Sequence, residues 1–369
     1  MDMFGEKLTA QMVKDAAKRF GADLCGITSM DRFEGAPKEQ DPRYIFPEAK
    51  SMLVLAFRLP RGYFRGIEEG TYFAPYASMG YGNTNQVYGP VVLRDLCCYI
   101  EDFGWEAVPV PNIYLGANIA FHTQSPGNGS FPVREGQPAP DVCVDYRVAA
   151  FAAGMGQIGY SKVFLTPEFG PMQRFVALLT DAELEPDPIY EGQLCDRCMS
   201  CARACAAKAI STTETVSITV AGHKCEWGKL DVKACSHGYM GGATYEYNPF
   251  FKPDGRLEDI PDTYHGIVLD NLKDTSSSPY GQLPTGTGVL ADMSNYGGHL
   301  GHNPTLEGAR GCMRECYIHL EKKGVLTRKF HNQFRKRPAW RITPEMREEF
   351  VKKCEIDRGA TAADIGFHE

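Results

Sequence analysis

Apolar residues near the start of the chain recur first with the spacing of a helix and then with that of a strand. Thr9 can cap a helix that continues to Phe20. Gly21 ends this helix before an apolar stretch at residues 23–28. The pattern therefore predicts a helix followed by a short strand.

Further along, two apolar runs and one amphipathic segment complete a mixed α/β pattern. Residues 51–59 (SMLVLAFRL) and residues 174–180 (RFVALLT) are short and apolar, as buried strands are. A helix is predicted between them, where five apolar residues lie at helical spacing: Val92, Leu96, Tyr99, Ile100 and Phe103. Pro186, Pro188 and Gly192 mark a linker to the next part of the chain.

Two segments lack a regular pattern. Residues 60–90 are crowded with Tyr, Phe and Gly, and residues 240–304 form a long loop-rich insertion. Long loops of this kind are usually functional or disordered, so the insertion is either a lid or a solvated excursion. Its histidines, in GGHLGH, are either ligands or ordinary loop groups, and the lack of neighbouring carboxylates and cysteines favours the second.

Composition is that of a globular redox protein of the cell interior. At 369 residues, with 43% hydrophobic and 23% charged residues, the chain is long enough for two domains. It shows no apolar signal core, no twin arginine and no run near the ~18 apolar residues of a membrane span, so we expect a cytoplasmic protein. Thirteen cysteines favour metal ligation over disulfides, and a net charge of −7 disfavours a large nucleic-acid surface.

Four cysteines in one short run carry the most specific chemistry. Cys195, Cys198, Cys201 and Cys205 have the spacing C-x2-C-x2-C-x3-C, with which bacterial ferredoxins bind [4Fe–4S] clusters. The alternatives are disulfides or a zinc site, but structural zinc uses two separated C-x2-C pairs. In the ferredoxin spacing three thiolates converge on one cluster and the fourth belongs to another. The run therefore predicts one-electron transfer through a pair of clusters.

The remaining cluster ligands must come from downstream cysteines. By the crossed-ligand rule, Cys316 completes the first cluster. The second cluster then takes four cysteines: Cys205, Cys225, Cys235 and Cys312. A complete second motif would place a cysteine at Ala309, and Cys235 is expected to fill that place from a distance. The alternative is that Cys235 is a plain buried thiol, which leaves a three-thiolate or three-iron cluster.

A glycine-rich turn precedes the cysteine run, at Gly154, Gly156 and Gly159. Glycines permit positive φ and let backbone amides approach a bulky ligand closely, although a helix-to-strand turn without a ligand is the alternative. A dinucleotide site is rejected because the glycines follow a helical pattern and no acidic residue stands suitably ~20 positions on.

With the cysteine run, this turn resembles the cobalamin-dependent iron–sulfur reductase superfamily, which contains reductive dehalogenases and epoxyqueuosine reductases. The resemblance covers residues 144–235 best. It rests on an Ala-rich helix before A-G-x-G-x-x-G at residues 153–159, on F-G-P-x-x-R at residues 169–174, and on T-D at residues 180–181. Cys225 matches an extra cysteine of the epoxyqueuosine reductases.

The resemblance implies an α+β chain with two cofactors. A nitroreductase-like α/β domain at residues 1–190 would bind the corrinoid and the substrate. A ferredoxin-like domain at residues 191–330 would hold two [4Fe–4S] clusters, and residues 331–369 would form a C-terminal extension. The cobalamin would be held base-off by five residues: Gly154, Gly156, Gly159, Tyr160 and Lys162. An external low-potential donor of the ferredoxin or flavodoxin type would supply electrons, which would pass through the second cluster and then the first.

The resemblance also implies residues for the reaction. In dehalogenases a tyrosine donates the proton, aided by a basic residue, and the candidates here are Tyr114 and Arg174. Asp141 is the carboxylate candidate by analogy with the epoxyqueuosine enzymes. Each residue has an alternative role. Tyr114 is instead a core tyrosine, Arg174 forms a structural ion pair or a corrin-propionate contact, and Asp141 is a simple cap. Reserve candidates are Tyr146, Lys162, Tyr72, Tyr76, Tyr81 and Tyr88.

Three functions are compatible with these features. The first is a corrinoid reductase that cleaves a carbon–heteroatom bond, foremost carbon–halogen, in a small molecule. The second is an epoxyqueuosine-reductase-like enzyme acting on tRNA, and the third is a non-catalytic electron-transfer or corrinoid-handling protein. Ala206 in place of the usual proline, Tyr160 in place of the lysine of the epoxyqueuosine enzymes, and the net negative charge argue against the second.

Overall fold

The computed structural model of the chain describes residues 5–72, 75–112, 132–140, 142–232, 234–235 and 309–340, together with residues 345 and 349. Its strands are β1 (Leu24–Ser29), β2 (Ser51–Arg58), β3 (Ala107–Val110), β4 (Gln157–Ile158), β5 (Phe164–Leu165), β6 (Gln173–Thr180), β7 (Ile210–Val220) and β8 (His223–Leu230). Its α-helices are α1 (Ala10–Phe20), α2 (Arg65–Glu69), α3 (Gly89–Glu101), α4 (Tyr146–Ala152), α5 (Ser200–Ala204) and α6 (Cys312–Lys323). Short 3₁₀ turns lie at Met30–Phe33, Pro42–Tyr44 and Arg61–Phe64, and a π-helix spans Tyr76–Tyr88.

The first helix has the ends that the sequence predicts. Thr9 Oγ1 accepts a hydrogen bond from the Met12 N–H at 3.3 Å, which satisfies one free donor of the first turn. Gly21, with φ of 121°, donates its N–H to the Ala17 carbonyl and ends the helix. The predictions of a helix at residues 9–20 and of a strand after it are confirmed.

A four-stranded antiparallel sheet, in the order β1-β2-β6-β3, is the centre of the first part of the chain. Alternate residues of a strand point to opposite faces. On one face, Leu55 and Val176 pack with α1 and α3; on the other, Val54 and Ala177 pack with α4. Because both faces are covered, β2 and β6 carry the continuous apolar runs that predicted them.

Residues 60–90 are more regular than their sequence suggests. They form α2, a 3₁₀ turn and the π-helix, with Phe64, Ile67 and Tyr76 almost fully buried. These side chains share a hydrophobic cluster with Met313 and Leu320 of α6, so long-range packing stabilises helices that local propensity does not favour. The helices of this stretch therefore form although its sequence shows no regular pattern.

The cysteine-rich part contains a hairpin and a helix. β7 and β8 pair antiparallel, and Ala221 and Gly222 at the tip both have positive φ, as a tight hairpin turn requires. Helix α6 buries Met313, Tyr317 and Leu320 on one face and ends at Gly324, whose φ is 71°. Within the described ranges, no helix combines the length and the apolarity that a membrane span needs. The predicted insertion at residues 240–304 lies outside the described residues.

Candidate metal centre

The loop that carries the first three cysteines is fixed at its entry and wound tightly. Gln157 Oε1 accepts the backbone N–H groups of Leu194 and Cys195, both at 2.9 Å. Within the loop, Arg197 and Met199 have φ of 57° and 60°, which non-glycine residues rarely adopt. Backbone of this kind turns successive N–H groups inward and is typical of anion and iron–sulfur sites.

Four thiols line one small cavity: Cys195, Cys198, Cys201 and Cys316. The last of them arrives on α6, more than a hundred residues after the others. Burial raises the pKa of Cys316 well above its usual value, and the neighbouring thiols of Cys201, Cys195 and Cys198 raise it further. Four thiolates concentrated in so little space need a cationic partner, and this donor set fits a [4Fe–4S] cluster. The structure thus brings together the four cysteines of the predicted first cluster; their role as ligands remains a prediction.

Sulfur atoms of this group, and that of Cys205 in the second set, take part in hydrogen bonds. The Tyr160 N–H donates to Cys195 Sγ at 3.3 Å, and Cys198 Sγ lies 3.4 Å from the Ser200 hydroxyl. The Ala209 N–H donates to Cys205 Sγ at 3.4 Å. Hydrogen bonds to the sulfurs are one of the features that set the reduction potential of an iron–sulfur cluster.

The second predicted set is only partly assembled. Cys205, Cys235 and Cys312 belong to one hydrophobic cluster with Tyr160 and Ile210. Cys225 lies instead on β8 in the other core, beside Val220 and Trp227. Burial raises the pKa of Cys225 to about 11. Among the described residues, the structure therefore does not bring Cys225 to the other three, because the hairpin register carries it towards α4.

The glycines of the turn lie close to backbone carbonyl groups from other segments of the chain. A Cβ on Gly154, whose φ is 68°, would lie 2.1 Å from the Pro188 carbonyl oxygen. A Cβ on Gly156 would lie 2.0 Å from the Leu165 carbonyl oxygen. Gly159 donates its N–H to the Val163 carbonyl at 2.8 Å. Close backbone approach is therefore one reason for glycine at these positions, and the expected contact with a corrinoid stays a prediction.

Tyr160 and Lys162, the other two predicted corrinoid contacts, are held by internal contacts. The Tyr160 hydroxyl donates to the Ser211 carbonyl at 2.9 Å. Lys162 Nζ lies 3.1 Å from the Asp145 carboxylate and 5.1 Å from the centre of the Trp227 ring. Burial alone would raise the pKa of Asp145, but the Lys162 ammonium and neighbouring donors outweigh it and lower that pKa to about 2.

A larger cavity adjoins the cysteine loop. Its volume is about 560 Å³, within the range of small-molecule pockets. Tyr160, Cys195 and Arg197 line both this cavity and the four-thiol cavity. The remaining wall carries mixed charge and polarity, including His223, Lys224 and Glu226.

Arg174, the predicted basic residue, contacts the π-helix. Its Nη2 donates to the Tyr76 hydroxyl at 2.6 Å and its Nε donates to the Gly80 carbonyl at 3.3 Å. Its guanidinium also lies 4.5 Å from the centre of the Tyr81 ring. Burial raises the pKa of Tyr76, although the charge of Arg174 opposes this rise. Tyr76 was only a reserve candidate, because nothing in the sequence links it to a residue 98 positions away.

The predicted site residues therefore fall on opposite sides of the sheet. Arg174 points towards the face of α3 and the π-helix, whereas its neighbour Phe175 meets Phe164 beside the glycine turn, with ring centres 5.4 Å apart. Tyr114 and Asp141, the predicted proton donor and carboxylate, lie outside the described residues.

Two side-chain oxygen atoms of the π-helix are buried without a hydrogen-bond donor. Asn85 Oδ1 and Gln86 Oε1 are inaccessible to solvent and accept no hydrogen bond among the described residues. A buried acceptor left in this state costs about 1–3 kcal/mol. A hydrogen-bond donor brought to either oxygen would remove this cost.

Sequence reasoning also missed a polar group at the rim of the four-thiol cavity. His319, three residues after Cys316 on α6, has its Nε2 2.9 Å from an Asp196 carboxylate oxygen. Lys323 Nζ donates to the same carboxylate at 2.8 Å, and this hydrogen bond and that of His319 hold the pKa of Asp196 well below its usual range. The i, i+3 and i+7 spacing from Cys316 is the signal that places these residues on one helical face.

Comparison with known proteins gives sequence relatives. No protein-family model matches the chain. The tetrachloroethene reductive dehalogenase of Sulfurospirillum multivorans is 28% identical over 276 residues, which is 62% of this chain and 48% of that protein. The chain thus spans about half the length of this relative. The tetrachloroethene reductive dehalogenase of Desulfitobacterium hafniense is 43% identical over 65 residues, 17% of this chain and 12% of that protein.

Two solved structures are weakly similar to this chain. The catabolic reductive dehalogenase NpRdhA has a TM-score of 0.43 at 18% identity, covering 74% of this chain and 37% of that chain. The epoxyqueuosine reductase of Bacillus subtilis has a TM-score of 0.41 at 16% identity, covering 85% and 82%. The sequence matches to reductive dehalogenases support the resemblance to the cobalamin-dependent iron–sulfur reductase superfamily, which contains reductive dehalogenases and epoxyqueuosine reductases.

Proposed function

We propose that this chain is a corrinoid-dependent iron–sulfur reductase that cleaves a carbon–halogen bond in a small molecule. The observation that supports the proposal most directly is the convergence of Cys195, Cys198, Cys201 and Cys316 on one cavity. The named sequence relatives are dehalogenases, and this supports halogen over other leaving groups.

Two [4Fe–4S] clusters would carry the electrons. The first would bind to the four thiols of that cavity. The second would bind to Cys205, Cys235 and Cys312, which already lie in one cluster of side chains. Cys225, the fourth expected ligand, would have to be brought to this set or replaced by another ligand. The proposed domain division is the one expected from sequence, with residues 1–190 before a two-cluster part at residues 191–330.

The corrinoid would lie against the π-helix. The periphery of a corrin carries amide groups, whose N–H donors would complement Asn85 Oδ1 and Gln86 Oε1 once these buried oxygens turned outward. The same helix accepts a hydrogen bond from Arg174 through the Gly80 carbonyl. When bound, the corrinoid would supply the electron-transfer chemistry at carbon that protein side chains cannot.

Arg174 would stabilise negative charge at the reacting centre. Tyr76 is 1% exposed and its hydroxyl also contacts Met313 Sδ at 3.6 Å, so we assign it a positioning role for the Arg174 guanidinium. The proton donor is proposed to be Tyr114, with Asp141 as the carboxylate. The balance of the reaction is R–X with two electrons and one proton, giving R–H and a halide ion.

The test is halide release. Anaerobic protein, reconstituted with iron, sulfide and cobalamin and reduced with titanium(III) citrate, is given a chlorinated alkene or a brominated phenol. One halide should appear per molecule of dehalogenated product, and Arg174→Met should reduce the rate at least about tenfold. The matched control is Arg94→Met, at an exposed arginine of α3 paired with its neighbour Asp95. Turnover of epoxyqueuosine in a tRNA stem–loop, without halide release, would establish the tRNA alternative and refute the proposal.

A further inference from the structure

A strongly basic segment follows the helix that carries Cys316. Residues 322–337 contain no aspartate or glutamate and seven basic residues: Lys322, Lys323, Arg328, Lys329, Arg335, Lys336 and Arg337. The chain as a whole has a net charge of −7. Its positive charge is therefore concentrated where a negatively charged partner would be attracted.

Four of these charges are exposed and have no ion-pair partner among the described residues. Lys323, Arg335 and Arg337 form ion pairs with Asp196, Glu68 and Glu69 respectively. The other four are exposed and form no ion pair with the residues that the structure describes: Lys322, Arg328, Lys329 and Lys336. Because no nearby acidic residue that the structure describes neutralises them, these four side chains give the surface of the segment a positive electrostatic potential.

The segment is held in a defined shape. Phe334 is fully buried in the core around α6, and the Thr327 N–H donates to the Pro167 carbonyl at 2.9 Å. Arg61 donates to the Asn332 carbonyl at 2.9 Å and stacks over Phe330 at 3.7 Å. Phe330 remains 42% exposed. An exposed aromatic ring flanked by arginines on a preformed surface is typical of protein–protein interfaces.

The basic segment also touches the cysteine loop. Lys323 Nζ donates to Asp196, and the same carboxylate accepts the Cys198 N–H at 3.2 Å. Lys322 is six residues from Cys316 on α6, which is about 9 Å along the helix axis. The surface therefore borders the four thiols that we assign to the first cluster.

We propose that the basic segment docks an acidic one-electron carrier protein against the first cluster. This inference rests on the proposed function. In each encounter the reduced carrier loses one electron and the protein gains one, with no transfer of atoms. The negative net charge of the chain and the contact with the cysteine loop favour a redox protein over RNA as the partner.

Docking at this surface reverses the electron order expected from the sequence. Cys312, assigned to the second cluster, is next to Met313 on α6, and Met313 Sδ lies 3.6 Å from the Tyr76 hydroxyl that contacts Arg174. Cys316, assigned to the first cluster, lies one helical turn closer to the basic segment. Electrons would then enter at the first cluster and leave from the second.

The test compares two triple variants that change the net charge equally. The segment variant combines three substitutions in the basic segment: Lys322→Glu, Arg328→Glu and Lys336→Glu. The matched control combines three substitutions of exposed basic residues in the first part of the chain: Lys38→Glu, Lys50→Glu and Arg94→Glu. Each protein carries its reconstituted clusters. The probe is an acidic flavodoxin in its hydroquinone form, mixed in a stopped-flow spectrometer while flavodoxin oxidation is followed.

The segment variant should react on the order of 10- to 100-fold more slowly at low salt and lose most of its salt dependence, and binding of oxidised flavodoxin should weaken in parallel. The control should stay within about twofold of the unmodified protein. Equal rates of flavodoxin oxidation by the two triple variants would overturn the docking proposal. So would a segment variant that loses salt-dependent tRNA binding but reacts with flavodoxin as fast as the unmodified protein. Titanium(III) citrate should reduce all three proteins alike; absence of iron from all three would refute the proposed function instead.

Discussion

Glu68 supports the helix that carries Cys312 and Cys316, and its replacement by glutamine should destabilise the protein. Its side chain is 5% exposed and accepts hydrogen bonds from Arg335 Nε at 2.6 Å and Arg335 Nη2 at 3.1 Å. Arg314 Nε lies 3.5 Å from the same carboxylate. Arg314 is itself on α6, between the two cysteines. The carboxylate thus anchors the helix from α2.

The cost of Glu68→Gln can be worked out from these contacts. The glutamine amide keeps one acceptor oxygen, but its NH₂ group replaces the second carboxylate oxygen and faces a guanidinium N–H of Arg335 or Arg314. One buried, charged donor is then left without an acceptor. Breaking a buried ion pair in this way costs about 3–5 kcal/mol. Glu315 still contacts Arg335 at 2.5 Å and so retains part of the network. We therefore expect a loss of about 3 kcal/mol in the free energy of unfolding.

Urea unfolding of the anaerobic protein, followed by circular dichroism, measures this loss. The matched control is Glu214→Gln, because Glu214 is 63% exposed and pairs with Lys229 at 2.7 Å on the hairpin surface. That substitution should leave the unfolding midpoint unchanged within error. Equal midpoints for the Glu68 variant and the unmodified protein would refute the assignment of Glu68 as the anchor of α6.

Three further predictions concern the thiols, the glycine turn and a buried carboxylate. Cys316→Ser should reduce bound iron from about eight to about four atoms per chain, measured by iron and sulfide analysis. Gly156→Ala should destabilise the protein by about 2–4 kcal/mol in urea unfolding, since its Cβ would meet the Leu165 carbonyl. At pH 7, Asp145→Asn should cost about 2 kcal/mol, because burial is outweighed by the Lys162 charge and the pKa of Asp145 falls to about 2. Because folding lowers the pKa of Asp145, its carboxylate stabilises the folded protein fully only above the pKa of the unfolded chain. The stability difference between the variant and the unmodified protein should therefore shrink as the pH falls from about 5 towards 2.

Controls separate these effects from general damage. Cys98→Ser, at an exposed cysteine of α3, should retain all the iron. Gly222→Ala introduces strain at a φ of 80° but meets no atom within 4 Å, so it should cost less than Gly156→Ala. A pH-independent loss for Asp145→Asn would contradict the ion pair, since asparagine still caps α4.

The sequence correctly predicted those helices and strands whose ends and burial depend on neighbouring residues in the chain. The cap at Thr9 and the stop at Gly21 fixed α1 from the sequence, and continuous apolar runs fixed β2 and β6. The arrival of Cys316 beside the cysteine run also followed from spacing alone, because cluster geometry restricts which thiols can share a site.

Long-range packing decided what the sequence left open. The π-helix carries Tyr76 into a core shared with α6, and no periodicity within residues 60–90 encodes that contact. The place of Cys225 depends on the register of a hairpin. The glycines of the turn satisfy a requirement for close backbone approach, and a sequence cannot distinguish a ligand from the Leu165 carbonyl as the group approached.

Metal analysis of anaerobic protein tests the central proposal most directly. The protein is reconstituted with iron, sulfide and cobalamin, freed of unbound cofactor, and analysed for iron, zinc and cobalt. A corrinoid reductase with two clusters should contain about eight irons and one cobalt per chain. Iron without cobalt would contradict a corrinoid-dependent reaction, and zinc in place of iron would contradict the assignment of the four-thiol cavity.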